Sequence, residues 1–182
     1  MTRRTQHVKQ VRRMKPLLLI DVDGPLNPYA ALASPRPPEG YTRHSMWPAV
    51  WTRARPLSVL LNPGHGVELL ALADRFELAW ATTWKDDANE WIGPRLGLPE
   101  LPFIDWPLIQ GRPPRGTLWK TRYVLEYAAG RPFAWVDDEI TSYDHEWVDQ
   151  QYDAAALLLR IDPGTGLTRP DFDALADWAA AL

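Results

Sequence analysis

The chain predicts an α/β fold in three layers: a parallel β-sheet with helices on both faces and a small flap inserted after the first strand. Two observations lead there. Short apolar runs of strand length alternate with helical segments, the pattern of a parallel sheet whose crossovers are helices. The first of these runs, Leu17 to Ile20, is apolar at consecutive rather than alternate positions, which marks a strand covered on both sides.

Taken in order, residues 1–13 carry Arg3, Arg4, Lys9, Arg12 and Arg13 and no acid. They read as a basic, disordered tail ahead of a domain spanning 14–182, with a nucleic-acid-binding arm as the alternative. Residues 25–65 are rich in proline, lack helical periodicity and contain strand-like pieces near 41–47 and 57–61, which predicts a flap or short cap. Val67, Leu69, Leu70 and Leu72 suggest a helix packed by its apolar side, and Phe76 to Thr82 a second core strand. Residues 86–92 read as a helix that Gly93-Pro94 breaks, and 101–104 as a short third strand. Thr117 is placed to cap a helix that runs to Ala129 and ends at Gly130. A strand over 132–136 leads into Asp137 and Asp138, a helix follows over 142–150, and the last strand covers 155–161. Thr168 and Asp171 open the final helix, 170–181, as a capping box. The layout is Rossmann-like, and such sheets bind ligands at the carboxyl ends of their strands.

Composition narrows the classes. The chain has 182 residues, enough for one α/β domain with a modest insertion, and 46% of them are hydrophobic, which excludes a disordered chain. No cysteine is present, which removes disulfides, thiolate chemistry and Cys-ligated zinc and fits a cytoplasmic location. No apolar run approaches the roughly 20 residues that span a bilayer, so no membrane partner is expected. A formal net charge of -3 argues against a general nucleic-acid binder.

The strand ends hold the chemistry. Asp21 and Asp23 flank Val22 and, at i and i+2 of an extended chain, point the same way. Two carboxylates this close call for a cation, and magnesium prefers oxygen ligands and tolerates phosphate. Gly24 lets the chain turn and a ligand approach the backbone. The second strand ends in Thr82 and Thr83, either of which offers a hydroxyl, with Thr82 preferred. Lys120, one of four lysines against 16 arginines, sits in the first turn of its helix, where a cation opposes the helix dipole and a bound anion would explain it. Asp137, Asp138 and Glu139 follow a buried strand, costly unless paired or metal-bound.

In order and position these segments resemble the four motifs of the haloacid dehalogenase superfamily: Leu17–Gly24 with its DxDG, Leu78–Thr82, Lys120, and Ala134–Asp138. Ala81 to Trp84 and Trp135 to Glu139 also look like the phosphatase domains fused to some RNA-repair proteins. The resemblance implies a magnesium-dependent phosphatase. Asp21 would be the nucleophile that forms an aspartyl-phosphate, and Asp23 the acid and base. Thr82 and Lys120 would hold phosphoryl oxygens. Asp21, the backbone carbonyl of Asp23, Asp137 and Asp138 would hold the ion. The flap is too short for a helical cap domain, so an open site is expected. The substrate would be a phosphorylated small molecule, such as a nucleotide, or a nucleic-acid end. Gly24, Thr83, Trp84, Arg43 and His44 are candidate substrate contacts, although packing is the better explanation for most of the ten tryptophans. The competing expectation is a metal-binding or interaction module that keeps the fold without catalysis.

Overall fold

The computed structural model describes residues 14–49, 51, 53–107 and 111–182. The basic tail expected over 1–13 therefore lies outside the described residues. A four-stranded parallel sheet flanked by helices forms a mixed α/β fold. Its strands are β1 (Leu17–Ile20), β4 (Glu77–Trp80), β5 (Phe133–Asp137) and β6 (Ala156–Arg160), in the order β4-β1-β5-β6. Between β1 and β4 lie an antiparallel hairpin, β2 (Thr42–Met46) and β3 (Leu57–Leu61), and helix α1 (Pro63–Leu72). Helices α2 (Gly93–Leu96), α3 (Thr121–Ala128), α4 (Ser142–Gln151) and α5 (Arg169–Ala180) complete the fold. No helix among the described residues is long and apolar enough to cross a membrane.

The consecutive apolar run of β1 is explained by what covers it. Leu18 and Ile20 join a buried cluster with Leu69 and Leu72 of α1 and Phe172 and Leu175 of α5. Leu17 and Leu19 join a second cluster with Val124 and Ala128 of α3 and Val148 of α4. Alternate side chains of one strand thus feed two cores. The chain leaves β1 toward β4 on one side and later reaches β5 and β6 on the other. The reversal puts a crevice at the carboxyl end of β1, which is where open α/β sheets receive ligands.

The hairpin predicted within the flap is present, but it is not a free lid. Met46, Val59 and Leu61 are fully buried in the first cluster, and the segment ends earlier than expected, at Asn62, whose side chain caps α1.

Other expectations fail locally. Residues 101–104 form only a single bridge, Phe103 to Trp80, because Pro102 has no N–H to extend a ladder. Gly93-Pro94 does not break its helix. A π-turn over Ala88–Ile92, in which Gly93 N–H reaches Ala88 O, widens the coil ahead of the proline, and α2 runs on to Gly97 in the left-handed region (φ 72). Thr117 does not cap α3. Its hydroxyl donates to Pro114 O, and Lys120 holds the N-cap position. At the other end Ala129 (φ 49) takes the left-handed turn ahead of Gly130. The capping box at Thr168 and Asp171 is formed as read from the sequence.

Candidate functional site

β1 and β5 run side by side, with Ile20 opposite Val136, so the residues that follow meet at the carboxyl edge of the sheet. Asp21 N–H donates to Val136 O, which fixes Asp21 beside Asp137. Lys120 reaches in from the start of α3. Its Nζ lies 2.6 Å from Asp21 Oδ2 and 2.8 Å from Asp137 Oδ2, and all three side chains are buried. An ammonium has three N–H donors, so one stays free for a further acceptor. Burial works to lower the pKa of Lys120, but the carboxylates of Asp21 and Asp137 outweigh it and hold the group above its usual value. Burial, reinforced by the Asp21 charge, pushes Asp137 well above the ordinary carboxylate range.

Asp138 completes the cluster. Asp21, Asp137 and Asp138 each offer one oxygen, and these oxygens lie within 4.8 Å of one another. Three buried carboxyl groups share one ammonium, so they cannot all ionise there without a further cation. That donor set fits a hard divalent cation, which takes oxygen ligands. The carboxylate of Asp23 is not a member of this cluster. Gly24 is required beside it: its φ is +90°, and a Cβ there would lie 2.5 Å from Asp138 Cβ. Glu139, third in the acidic run, is exposed, and its N–H donates to Asp137 Oδ1.

Asp23 stands apart and is held differently. Its Oδ1 accepts from Asn27 Nδ2 at 2.7 Å and its Oδ2 from Trp84 Nε1 at 2.9 Å. Burial raises its pKa against the pull of these two hydrogen bonds, which favours a carboxyl able to carry a proton. Asn27 also accepts from Leu60 N–H, so one amide ties β3 of the hairpin to Asp23. Thr82 is buried at the end of β4. Its Oγ1 accepts weakly from Trp84 N–H at 3.4 Å, and its carbonyl accepts from Trp106 Nε1. Thr83 is exposed and, with Trp84, borders a groove next to Asp23.

Of the two flap residues suggested as substrate contacts, Arg43 is engaged elsewhere. It donates to Leu32 O, Ser34 O and Ser58 Oγ, bracing the hairpin against the preceding turn. His44 pairs with Val59 in register and is half-buried; burial and then the charge of Arg95 lower its pKa.

Three residues that shape the site lie outside the candidates read from the sequence. Tyr29 OH donates to Asp138 Oδ2 at 2.7 Å, and that bond, aided by burial, pushes the phenol up to about 12. Asp144, fully buried, accepts from Leu118 N–H and Thr121 Oγ1 while closing the capping box of α4 with Thr141. It thereby fixes the start of α3, and with it Lys120. Trp106 fixes the loop after β4. Only Asp144 had a local signal, its place three residues after Thr141. No protein-family model, curated protein or solved structure matches this chain.

Proposed function

We propose that the chain is a phosphoric monoester hydrolase of the haloacid dehalogenase type, with magnesium as its metal. One observation carries this reading: a buried lysine bridges Asp21 and Asp137 at the topological switch point, with Asp138 beside them and a second, separately held acid two residues after Asp21. Such a cluster is expensive to bury for structural reasons alone.

Asp21, Asp137 and Asp138 would hold the ion, as would the backbone carbonyl of Asp23. When bound, the ion would neutralise charge on the phosphate as the nucleophile approaches. Asp21 attacks phosphorus in line, the ester P–O bond breaks, and the departing alcohol oxygen takes its proton from Asp23. Water then attacks the aspartyl-phosphate and gives a proton back to Asp23, inorganic phosphate leaves, and Asp21 is restored. Lys120 uses its third N–H, and Thr82 its hydroxyl, to hold phosphoryl oxygens, so that catalysis is positioning and electrostatics. Gly24 keeps the turn after Asp23 close to Asp138. Two cores fed by opposite faces of β1 support the three-layer form of the fold, and a cytoplasmic location agrees with the absence of cysteine.

The test is release of phosphate from a generic aryl phosphate with and without magnesium, beside Asp21→Asn. Turnover that needs magnesium and vanishes in the variant is the expected result. Turnover in Asp21→Asn at the parent rate would eliminate the mechanism.

A further inference from the structure

A groove of about 260 Å³ opens against Asp23 between the hairpin segment and the loop after β4. Tyr29, Leu32, Trp51, Leu57 and Trp84 line it, and Asp23 is its only charged lining residue among those described. We propose that this groove receives the alcohol portion of the substrate and selects a monophosphate ester whose alcohol carries a flat aromatic or heteroaromatic ring: an aryl or nucleoside monophosphate. The proposal rests on the phosphatase reading and adds to it the class of leaving group.

Four observations carry it. The first is continuity: the acid that would protonate the leaving oxygen is itself part of the groove wall, so the group bonded to that oxygen has the groove directly beside it. The second is rigidity. Trp84 is tied to Asp23 through its Nε1, and Trp51 donates its Nε1 to Arg55 O at 2.7 Å and has the Arg53 guanidinium 5.0 Å from its ring centroid, so each indole has a partner before a ligand arrives. Ordered aromatic walls favour planar rings, since every such ring has a π-face to stack and little side-chain entropy remains to be lost.

The third observation is charge. No Lys or Arg lines the groove among the described residues, Arg43 being spent on Leu32 O and Ser58 Oγ and Arg53 lying over Trp51, so a second or third phosphate inside it would face Asp23. Nucleoside di- and triphosphates are therefore poor candidates, and so is a small polyol phosphate, which offers no ring to stack on Trp51 and Trp84. The fourth is size. The volume falls just under the range of roughly 300–1,000 Å³ common for ligand pockets, which suits a one- or two-ring group.

The experiment separates this proposal from the reading beneath it. Calorimetric binding to the full chain carrying Asp21→Asn, with magnesium, is measured for 1-naphthyl phosphate, adenosine 5′-monophosphate, adenosine 5′-triphosphate and glycerol 3-phosphate; turnover of the same four is measured on the parent. The two aromatic monophosphates are expected to bind roughly tenfold or more tightly than glycerol 3-phosphate, in line with the strength of stacking on tryptophan. Trp51→Ala should erase most of that preference and Trp51→Phe should retain it. Equal binding of glycerol 3-phosphate and 1-naphthyl phosphate, tighter binding of the triphosphate, or no effect of Trp51→Ala overturns the proposal, whatever the turnover. Ring-selective binding that depends on Trp51, with no turnover of any ester, upholds the groove and defeats the phosphatase reading. Turnover with no ring preference does the reverse.

Discussion

Lys120→Met removes a buried charge while keeping a long, flexible side chain of similar reach. Nζ makes two bonds, at 2.6 and 2.8 Å, to carboxylates that are themselves buried, and the lysine is 3% exposed, so solvent screening is small. Removing one partner of such a set leaves uncompensated charge in the interior and typically costs about 3–5 kcal/mol. For a chain of this length that corresponds to a drop of roughly 6–20 °C in Tm. Without its ammonium the cluster has one more uncompensated negative charge, so added magnesium should stabilise the variant more than the parent. Chemical denaturation with and without magnesium measures both effects, and phosphate release should fall by ~10²–10³ in parallel. A variant that unfolds within about 0.5 kcal/mol of the parent, an ordinary result for a surface substitution, would refute the buried bridge. Parent-rate turnover in the same variant would remove Lys120 from the mechanism.

Gly24→Ala combines a left-handed φ of +90° with a Cβ placed 2.5 Å from Asp138, so divalent-ion affinity by calorimetry should fall by tenfold or more while Asp21 and Asp137 stay in place. Asp144→Ala removes the acceptor for Leu118 N–H, Thr121 Oγ1 and the α4 cap together; thermal unfolding should show a loss of about 2–4 kcal/mol, with kcat falling more than KM rises because Lys120 loses its support. His65 is buried between Tyr41 and Phe172, and burial, opposed by its backbone bond at Leu167, holds its pKa down to about 4. The unfolded chain therefore binds a proton at about 6.5 that the folded chain refuses until about 4. Its contribution is complete above 6.5 and is lost as the pH falls toward 4, up to about 3 kcal/mol. His65→Leu should flatten the difference between stability at pH 7 and pH 4.5 in urea titrations, and an unchanged difference would contradict the assignment.

Much of the site was legible because its residues sit where local pattern is strongest. A consecutive apolar run that stops at a carboxylate identifies both the strand and its functional end. Asp21 and Asp137 both stand out that way, and their places along a β/α alternation predict that they meet, as they do beside Lys120. Lys120 stands out because a cation at a helix start is unfavourable without an anion, although its helix begins three residues later than Thr117 as cap would require. Local signals failed where tertiary packing overrode them: the π-turn that carries the chain through Gly93-Pro94, and the strand that Pro102 reduces to one bridge.

By itself, then, the sequence determined the ends of the core strands, the acids they carry and the parallel character of the sheet, since periodicity and residue type act over a few positions, while the strand order came from the tertiary structure. The tertiary structure alone decided which charges touch. Lys120 and Asp21 are 99 residues apart in sequence and Tyr29 and Asp138 are 109 apart. It also decided that Arg43 braces the hairpin while Asn27 and Trp84 hold Asp23, and that the hairpin is anchored in the core with a groove beneath it. Contacts of that range depend on how whole elements pack, and no local repeat of polarity encodes them.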